Sequence, residues 1–439
     1  MVNNSSHNIK ALQCGSTILY LLTPLMFIIS PMLFVLFIIL QFVAQACLGS
    51  PRKELFIVLL LNGFVYSSVS LLGFRIYDWI IIAFFIDLIV KKNGHIKAPI
   101  RLFIFFIVVL LVFFIHGMKN NELLEVIRYV VSGMLVLIVL NAPPSIDSIS
   151  KSIVKVCAVN LYNALAVFAL IKFVEIQNYT SSLISTNIYI YSDEVRLNGF
   201  FSDPNKYMTF SLALIFIIDL FVKDVSLQRR GIFLLGIATI ISMSRTALLC
   251  LCLYFFLKYL LRLKQIFPRS FWICIAISIM ILGILVVAPD TANKIVNEAY
   301  KFAAQLLGRS RTLEINATLQ EDNRIRIWKR AIEYIKAKPL LGNGWLAYQQ
   351  LLPYPTHNTI LSLLLDGGLF LLVAYLYMFW PLLSSKRFDV TVSCVILPML
   401  LLDLGNYRVL FLLLAMVIQQ KGDKFNARKR IDCFNKKIR

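Results

Sequence analysis

The sequence predicts an all-α integral membrane protein with about 12–14 transmembrane helices and one long extracytoplasmic segment that contains amphipathic helices. Three observations support this fold class. Hydrophobic residues make up 59% of the 439 residues and charged residues 15%, whereas in soluble proteins about a quarter of the residues are charged. Apolar runs long enough to cross a membrane recur along the chain. One long polar interval, Asp290–Asn358, interrupts them.

The apolar runs predict the order of the spans. The first, Thr17–Leu48, is interrupted at Ser30-Pro31, and the sequence leaves open whether it forms one long tilted helix or two short ones. The other predicted spans are Leu55–Leu72, Ile76–Val90, Leu102–His116, Leu123–Leu140, Ile153–Phe173, Tyr207–Val222, Ile232–Met243, Ala247–Leu261, Phe271–Ala288, Thr359–Leu383, Val390–Leu402 and Val409–Ile418. We therefore expect four parts: N-terminal transmembrane helices (1–288), an extracytoplasmic loop with catalytic motifs (289–357), C-terminal transmembrane helices (358–420) and a basic cytoplasmic tail (421–439).

Basic residues in the short loops predict the orientation, because such loops are retained in the cytoplasm. Counting the spans alternately places the basic loops at Lys91-Lys92, Arg229-Arg230, Lys258–Arg269, Lys386-Arg387 and the C-terminal tail on one face. We expect both termini on this cytoplasmic face, which for the N-terminus requires two helices in Thr17–Leu48. The opposite face then receives Gly117–Asn121, Val174–Lys206, Ser242–Arg245, the polar interval and Leu404–Arg408.

The polar interval contains an amphipathic helix that begins near Asn323 and ends before Pro339. Its apolar stripe is predicted at Ile325, Trp328, Ile332 and Ile335, and most charged side chains fall on the other face. At about 100° per residue, Arg324 projects toward the apolar side. A guanidinium group in that position needs an anionic partner.

The formal net charge of +21 could indicate nucleic-acid binding, but the basic residues cluster in short loops of a membrane protein, which favours an orienting role and excludes a nucleic-acid partner. The eight cysteines lie mostly in apolar runs without zinc-like spacing, and no glycine-rich nucleotide loop is present. We therefore expect no cofactor and no metal site.

Three residues at the predicted extracytoplasmic face are candidates for chemistry. Arg196 and Arg245 lie beside spans, where arginine also serves as an interface anchor or a structural residue. His357 lies directly before a span, where a histidine can instead cap the helix. Histidine can accept a proton near neutral pH, and arginine forks match phosphate oxygens. One base beside several phosphate-binding groups indicates transfer from a diphosphate-linked donor.

These motifs together resemble the O-antigen ligase and polymerase superfamily. The resemblance runs from Arg196 to Phe370, and the N-terminal spans resemble the family only in hydropathy. The motifs are, in order, Arg196 with Gly199 and Asp203-Pro204-Asn205, Ser244-Arg245, Arg324–Trp328, Pro339–Gly344, and His357-Asn358 with Gly367-Gly368.

The resemblance implies a GT-C-like glycosyltransferase of the bacterial cytoplasmic (inner) membrane that acts on undecaprenyl-diphosphate-linked glycans at the extracytoplasmic face. It implies that Arg196 and Arg324 bind the donor diphosphate, that Arg245 supports the same site, and that His357 activates the acceptor hydroxyl group. Arg326 can replace Arg324 in this assignment, because the motif aligns ambiguously by two positions.

The form Gly-Phe-Phe-Ser-Asp-Pro-Asn at 199–205 looks more like polymerases, which elongate a lipid-linked acceptor glycan, than like ligases, which attach glycan to lipid A-core. We therefore expect an O-antigen or surface polysaccharide polymerase with a chain-length regulator protein as a candidate partner. A lipid-linked oligosaccharide flippase is the alternative of another class. A transporter would show repeated halves and broken helices near the membrane midplane, whereas this chain gathers its unusual polar groups at one face.

Overall fold

The structure is a computed structural model that describes residues 2–48, 51–71, 73–117, 120–174, 180–181, 184–185, 190–191, 194–195, 198–201, 203–242, 244–266, 323–385 and 387–420. It is an all-α integral membrane protein. Five of the described helices contain segments long and apolar enough to cross a membrane: Leu12–Ile29, Glu122–Asn141, Ile146–Leu170, Pro204–Phe221 and Thr359–Leu383. The predicted span Phe271–Ala288 lies outside the described residues.

The described helices are numbered here in chain order. They are α1 (Val2–Ile29), α2 (Pro31–Cys47), α3 (Arg52–Val65), α4 (Ile76–Lys92), α5 (Ile100–His116), α6 (Asn120–Asn141), α7 (Ile146–Val174), α8 (Pro204–Phe221), α9 (Val225–Ile241), α10 (Arg245–Ile266), α11 (Asn323–Ala337), α12 (Tyr348–Leu351), α13 (Thr359–Leu383), α14 (Phe388–Leu401, with a π-helical turn at Val392–Ile396) and α15 (Arg408–Gln420).

The stretch Thr17–Leu48 forms two helices, which answers the question that the sequence leaves open. Ser30 is extended, with φ −164° and ψ 136°, and Pro31 begins α2, where its missing N–H group is not needed. The two helices pack antiparallel, because Gln45 donates a hydrogen bond to Ser16 at 3.2 Å while Gln41 donates to Thr23. The two-helix arrangement is the one that a cytoplasmic N-terminus requires.

The predicted span Leu55–Leu72 is too long at its C-terminal end. Helix α3 stops at Val65, and a short antiparallel hairpin follows, in which β1 (Ser70–Leu71) pairs with β2 (Phe74–Arg75). Gly73 turns the chain with a φ of +80°, a conformation that favours glycine. Two further two-residue hairpins pair β3 (Thr180–Ser181) with β4 (Ile184–Ser185), and β5 (Ile190–Tyr191) with β6 (Glu194–Val195).

The basic short loops meet at one end of the helical bundle, which we call the basic end. Asp87 of α4 pairs with Arg52 at 2.7 Å and with Lys91 at 2.8 Å, which joins the start of α3 to the end of α4. Ser148 and Glu54 join the starts of α7 and α3. Lys223 and Asp147 join the end of α8 to the start of α7. Arg387 and Asp219 join the start of α14 to the end of α8. The described contacts therefore agree with the alternating order of the predicted spans.

Helix α11 matches the predicted amphipathic helix, but its buried face is rotated. Ile327 and Ala331 are buried against Ala347, Leu352 and Leu365. The prediction that Ile332 belongs to the apolar stripe is wrong, because its side chain is 41% exposed. The predicted stripe follows the largest apolar side chains, whereas the small Ala331 allows α11 to approach the chain before and within α13.

Candidate active site

A cavity of about 350 Å³ lies at the end of the bundle away from the basic loops, which we call the cavity end. Its walls come from the starts of α4, α6, α8, α13 and α15 and from the loop between α14 and α15. Since α4 runs for 17 residues from this end to Lys92 at the basic end, the two ends are about 25 Å apart. The charged residues that line the cavity are Arg75, Arg128, Lys206, Arg408, Asp78, Glu125, Asp203, Asp366 and Asp403, together with His357.

His357 lines this cavity from the sharp turn before α13. Its φ is +50°, a left-handed conformation that is uncommon for residues other than glycine and is found often at functional sites. The next residue, Asn358, is the N-cap of α13, because its side-chain oxygen accepts a hydrogen bond from the Leu361 N–H group at 3.0 Å. The capping role is therefore filled by Asn358 and does not account for His357.

The turn around His357 is held on two sides. The Trp328 indole N–H group of α11 donates a hydrogen bond to the Thr356 carbonyl oxygen at 2.7 Å. On the other side, the Thr359 hydroxyl group donates to the Leu402 carbonyl oxygen at 2.7 Å and accepts from the Leu404 N–H group at 2.9 Å. The amphipathic helix and the loop before α15 thus fix the backbone on both sides of the histidine.

A buried ion pair joins Arg408 and Asp78 at the cavity wall. The Arg408 Nε donates to Asp78 Oδ1 at 2.9 Å, and the two side chains are 6% and 3% exposed. Asp78 also accepts from the Arg75 backbone N–H group at 3.1 Å, and the Arg75 guanidinium group donates to the Ser68 carbonyl oxygen at 3.1 Å. Burial lowers the pKa of Arg75, and the positive charges of Arg128 and Arg408 act in the same direction. The three guanidinium groups therefore share one electrostatic environment.

A second ion pair continues this arrangement on α6. Arg128 Nη1 donates to the buried Glu125 at 2.9 Å, and Glu125 also accepts a hydrogen bond from the Asn406 side chain. Arg408 donates to the Asn406 carbonyl oxygen at 3.2 Å, so Asn406 connects the two ion pairs. The Arg128 side chain is 36% exposed, and among the described residues Glu125 is its only ion-pair partner. Its remaining donors can bind a ligand, because a guanidinium group has five.

Asp403 supplies a protonatable carboxyl group in the same cavity. It accepts a hydrogen bond from the Ser362 hydroxyl group at 2.6 Å. Burial raises the pKa of Asp403 to about 6, partly opposed by the hydrogen bonds from Ser362 and the Gly405 backbone and reinforced by the negative charge of Glu125. Among the described residues, no group of three or more His, Cys, Asp or Glu side chains could hold a metal ion.

The Pro339–Gly344 motif and Gly367-Gly368 fit against each other. Helix α13 breaks at Gly368, where φ is +63° and ψ −159°, and the Leu369 N–H group donates to the Pro339 carbonyl oxygen at 2.8 Å. In return, the Asn343 and Gly344 N–H groups donate to the Leu365 and Asp366 carbonyl oxygens at 2.8 and 2.9 Å.

The glycines are required by this close approach. A Cβ atom on Gly368 would lie 2.4 Å from the Leu340 carbonyl group, and one on Gly342 would lie 2.5 Å from the Asp366 carbonyl oxygen. Both glycines also have positive φ angles. The motif therefore joins the end of α11 to the broken span α13, which begins two residues after His357.

Comparison with protein-family models identifies a family for the part of the chain that contains several of these motifs. Residues 231–376 match the family model described as O-Antigen ligase. The resemblance to the O-antigen ligase and polymerase superfamily is confirmed. Comparison with curated proteins gives no match. The family match supports an O-antigen ligase or polymerase type of function, which is glycan transfer by a membrane enzyme.

The residues that the superfamily motifs single out are unequally placed. His357 lines the cavity. Arg196 lies outside the described residues, and so do the side chains of Arg245, the first residue of α10, and Arg324, the second residue of α11. Arg326 is exposed, and it is not among the described residues that line the cavity. It lines a second hollow beside α11.

The described residues of the superfamily motif at 199–205 mainly pack in the core and cap a helix. Phe200 is buried, and its ring lies 4.6 Å from that of Phe34 and 5.7 Å from that of Tyr66. Asp203 caps α8 by accepting from the Asn205 N–H group at 2.6 Å. Asn205 in turn accepts from the Ser244 hydroxyl group at 3.4 Å, so this motif and Ser244-Arg245 meet beside the cavity.

The cavity contains functional candidates that the motifs did not predict, namely Arg75, Arg128, Lys206, Asp403 and Arg408. A sequence signal exists for them. Arg128 lies inside the predicted span Leu123–Leu140, where an ionisable residue indicates a functional site or a buried partner. The other four residues lie at ends of predicted spans, and alternating the spans across the membrane places these ends on the same face as His357.

Proposed function

We propose that the protein is an O-antigen or surface polysaccharide polymerase, which transfers an undecaprenyl-diphosphate-linked glycan onto an acceptor glycan outside the cytoplasmic membrane. The observation that carries the proposal is the cavity in which His357 lies with the Arg75–Arg128–Arg408 network. A base and several guanidinium groups in one cavity suit group transfer from a diphosphate.

The donor diphosphate binds at the cationic side of this cavity. Arg128, which keeps most of its donors for a ligand, contacts the phosphate oxygens directly. Arg75 and Arg408 raise the local positive potential, and Arg196, Arg245 and Arg324 complete the site from the family motifs. Between the two alternatives in the α11 motif we choose Arg324, because Arg326 opens into a different hollow. In the helix, position 324 lies on the same face as Ile327 and Ala331, which pack toward α13.

His357 acts as the general base of the transfer. It takes the proton of an acceptor hydroxyl group as the hydroxyl oxygen forms a bond to the anomeric carbon of the donor. The bond between that carbon and the diphosphate oxygen breaks, and its electron pair stays on undecaprenyl diphosphate. The guanidinium groups stabilise the charge that develops there. Attack from the face opposite the leaving group inverts the anomeric configuration.

The reaction needs no divalent cation in this proposal, because guanidinium groups supply the positive charge that Mg²⁺ often supplies in phosphate chemistry. A reconstituted transfer reaction should therefore keep its rate after chelation of divalent cations with EDTA. A rate that falls on chelation and returns with Mg²⁺ would contradict the metal-independent mechanism.

An O-antigen ligase is the second candidate, because the matching family model carries that description. A deletion strain separates the two functions. Loss of a polymerase leaves a single repeat unit on the lipopolysaccharide core, whereas loss of a ligase leaves long polymer that is not attached to the core. We expect the single repeat.

A flippase would move the lipid-linked glycan without changing a covalent bond. Purified protein in vesicles with lipid-linked single repeats extracted from the deletion strain tests this alternative. We expect lengthened glycan and released undecaprenyl diphosphate. Transport to the opposite leaflet with no new glycosidic bond would contradict the enzymatic proposal.

A further inference from the structure

A second hollow lies beside the cavity, on the exposed side of α11. Its volume is about 210 Å³, and Arg326, Ile327, Arg330, Pro353 and Tyr354 line it. The function proposed above does not use it. Two features distinguish it from an ordinary surface depression: an aromatic residue, Tyr354, that is 63% exposed, and an exposed cation, Arg330, on the facing helix.

The hollow and the cavity share one loop. Pro353 and Tyr354 line the hollow, and Pro355 and His357 line the cavity. Tyr354 and His357 are three positions apart in the chain, so their Cα atoms are at most about 10 Å apart. That distance is on the scale of one or two sugar residues. A glycan whose hydroxyl group reaches His357 can therefore extend directly over Tyr354.

Contacts between α11 and the loop fix the two walls of the hollow relative to each other. Ile327 of α11 is buried with Leu352, the residue that precedes Pro353. Trp328 binds the Thr356 carbonyl oxygen at 2.7 Å, so the loop is attached to α11 on both sides of Tyr354. A ligand in the hollow would thus be kept at a fixed distance from His357, as a subsite of a transferase requires.

The chemistry of the walls favours a saccharide with a negative charge. An exposed tyrosine ring offers an apolar face on which the C–H groups of a sugar can pack, and a hydroxyl group for hydrogen bonding. Arg330 matches a carboxylate or phosphate group. The charge of α11 is strongly one-sided, because Glu333 is its only acidic residue and the helix contains five basic residues.

We propose that this hollow is the acceptor subsite: it binds, through Tyr354 and Arg330, an acidic sugar residue of the acceptor glycan next to the one that reacts at His357. The assignment rests on the transferase function proposed above. The negative group is a carboxylate or phosphate on the glycan itself. An anionic phospholipid headgroup could present the same chemistry, since tyrosine and basic residues also anchor helices at membrane surfaces.

The test uses full-length protein with two different substrates. The donor is the lipid-linked repeat unit extracted from a strain that lacks the protein. The acceptor is the repeat oligosaccharide released from that lipid and labelled at its reducing end. Because the labelled oligosaccharide has no diphosphate, it serves only as acceptor, and the KM values of donor and acceptor can be measured separately.

We expect Tyr354→Ala to raise the acceptor KM about tenfold, with kcat and the donor KM unchanged. Tyr354→Phe keeps the ring and should restore the acceptor KM. Arg330→Ala should also raise the acceptor KM, and Lys336→Ala is its matched control, since Lys336 is exposed on the same helix and does not line the hollow.

Several results would overturn the assignment. One is an unchanged acceptor KM in Tyr354→Ala; another is a raised donor KM instead. An Arg330→Ala effect that appears in vesicles containing anionic phospholipid and disappears in purely zwitterionic vesicles would assign the hollow to the membrane surface. A released oligosaccharide that contains only neutral sugars would remove the acidic-sugar assignment.

Failure of the proposed function gives a different result, namely no transfer by the wild-type protein. Direct titration of wild-type and Tyr354→Ala protein with the labelled oligosaccharide then decides the subsite by itself. Weaker binding to the variant supports the subsite, and equal affinities or no binding to either protein contradict it.

Discussion

The two ends of the bundle both bury charged residues, but they use them differently. At the basic end, the Asp219 side chain is 1% exposed, and Lys258, Arg387 and the Tyr254 hydroxyl group bind it, the last at 2.9 Å. Arg387 also pairs with Asp389 at 3.2 Å. At the cavity end, Arg128 and Arg408 each have a carboxylate partner, yet their side chains line a cavity of about 350 Å³.

This difference separates a structural ion cluster from a candidate binding site better than charge alone does. The Asp219 cluster joins α8, α10 and the start of α14, and its charges are satisfied by one another. In the cavity, the ion pairs position guanidinium groups whose remaining donors can meet a ligand. Removal of one partner is costly in both places, because it leaves a buried charge unpaired. Only at the cavity end should a change that preserves folding alter the chemistry.

The largest expected effect is the accessibility of the two ends from opposite sides of the membrane. In a background without native cysteines, Gly308→Cys in the polar interval should react with a membrane-impermeant maleimide in intact spheroplasts. Lys92→Cys at the basic end should react only after permeabilisation. The reverse pattern would show that the orientation is inverted.

The next effect concerns catalysis at the cavity end. His357→Ala should insert and fold normally and lose about a hundredfold or more in turnover, because the proposed general base is removed. Asn358→Ala is the matched control: it removes the N-cap of α13, which should lower stability by about 1 kcal/mol and leave turnover per folded molecule largely intact. Near-normal turnover in purified His357→Ala protein would remove this residue from the mechanism.

A matched arginine pair compares the ends directly. Arg128→Lys keeps the positive charge but loses the planar fork, so we expect the donor-dependent rate to fall about tenfold. Arg387→Lys makes the same change at the basic end and should lower thermal stability while the rate per folded molecule stays constant. Equal losses of rate in both variants would mean that the distinction between the two ends is wrong.

The smallest effect is a pH dependence of stability that arises from Asp403. Its pKa is about 6 in the folded protein and near 4 in the unfolded chain, so the folded state binds the additional proton between these values. This contribution to stability is greatest below about pH 4 and is lost as pH rises to about 6. The melting temperature of the wild type relative to Asp403→Asn should therefore fall by several degrees, on the order of 5 °C, from pH 4 to 7. A constant difference would contradict the raised pKa.

Much of the fold follows from the sequence, because helix length and hydropathy are local properties. The prediction Thr359–Leu383 matches α13 residue for residue, and Leu102–His116 lies within α5. The errors arise where contacts between distant segments decide. Helix α3 is shorter than predicted, and the β1–β2 hairpin follows it. Just after the helix, the Ser68 N–H group donates a hydrogen bond to the Phe200 carbonyl oxygen at 2.9 Å, a contact across 132 positions. The packing of Ala331 likewise rotates α11 against the apparent apolar stripe.

The candidate site is predictable only in part, for the same reason. His357 is marked by its place before a span and by its motif, and the structure puts it in the cavity. Arg75, Arg128 and Arg408 belong to three elements that are far apart in the chain and that only packing brings together. Arg75 and Arg408 could be recognised as charged residues near a membrane boundary, and Arg128 as one inside a span. Their connection through Asn406 and Asp78 depends on the tertiary arrangement.

The fit between Pro339–Gly344 and the break in α13 has a consequence for biogenesis. The Asn343 and Gly344 N–H groups find their acceptors, Leu365 and Asp366, in a helix that is synthesised after them. The segment Pro339–Gly344 therefore cannot complete its native hydrogen bonds until that helix has been synthesised and inserted. A soluble fragment that ends before Thr359 should remain unfolded at its C-terminal part. Under the proposed mechanism, the turn that carries His357 forms only once α13 has been inserted, so chains that stall before this step should have no transferase activity.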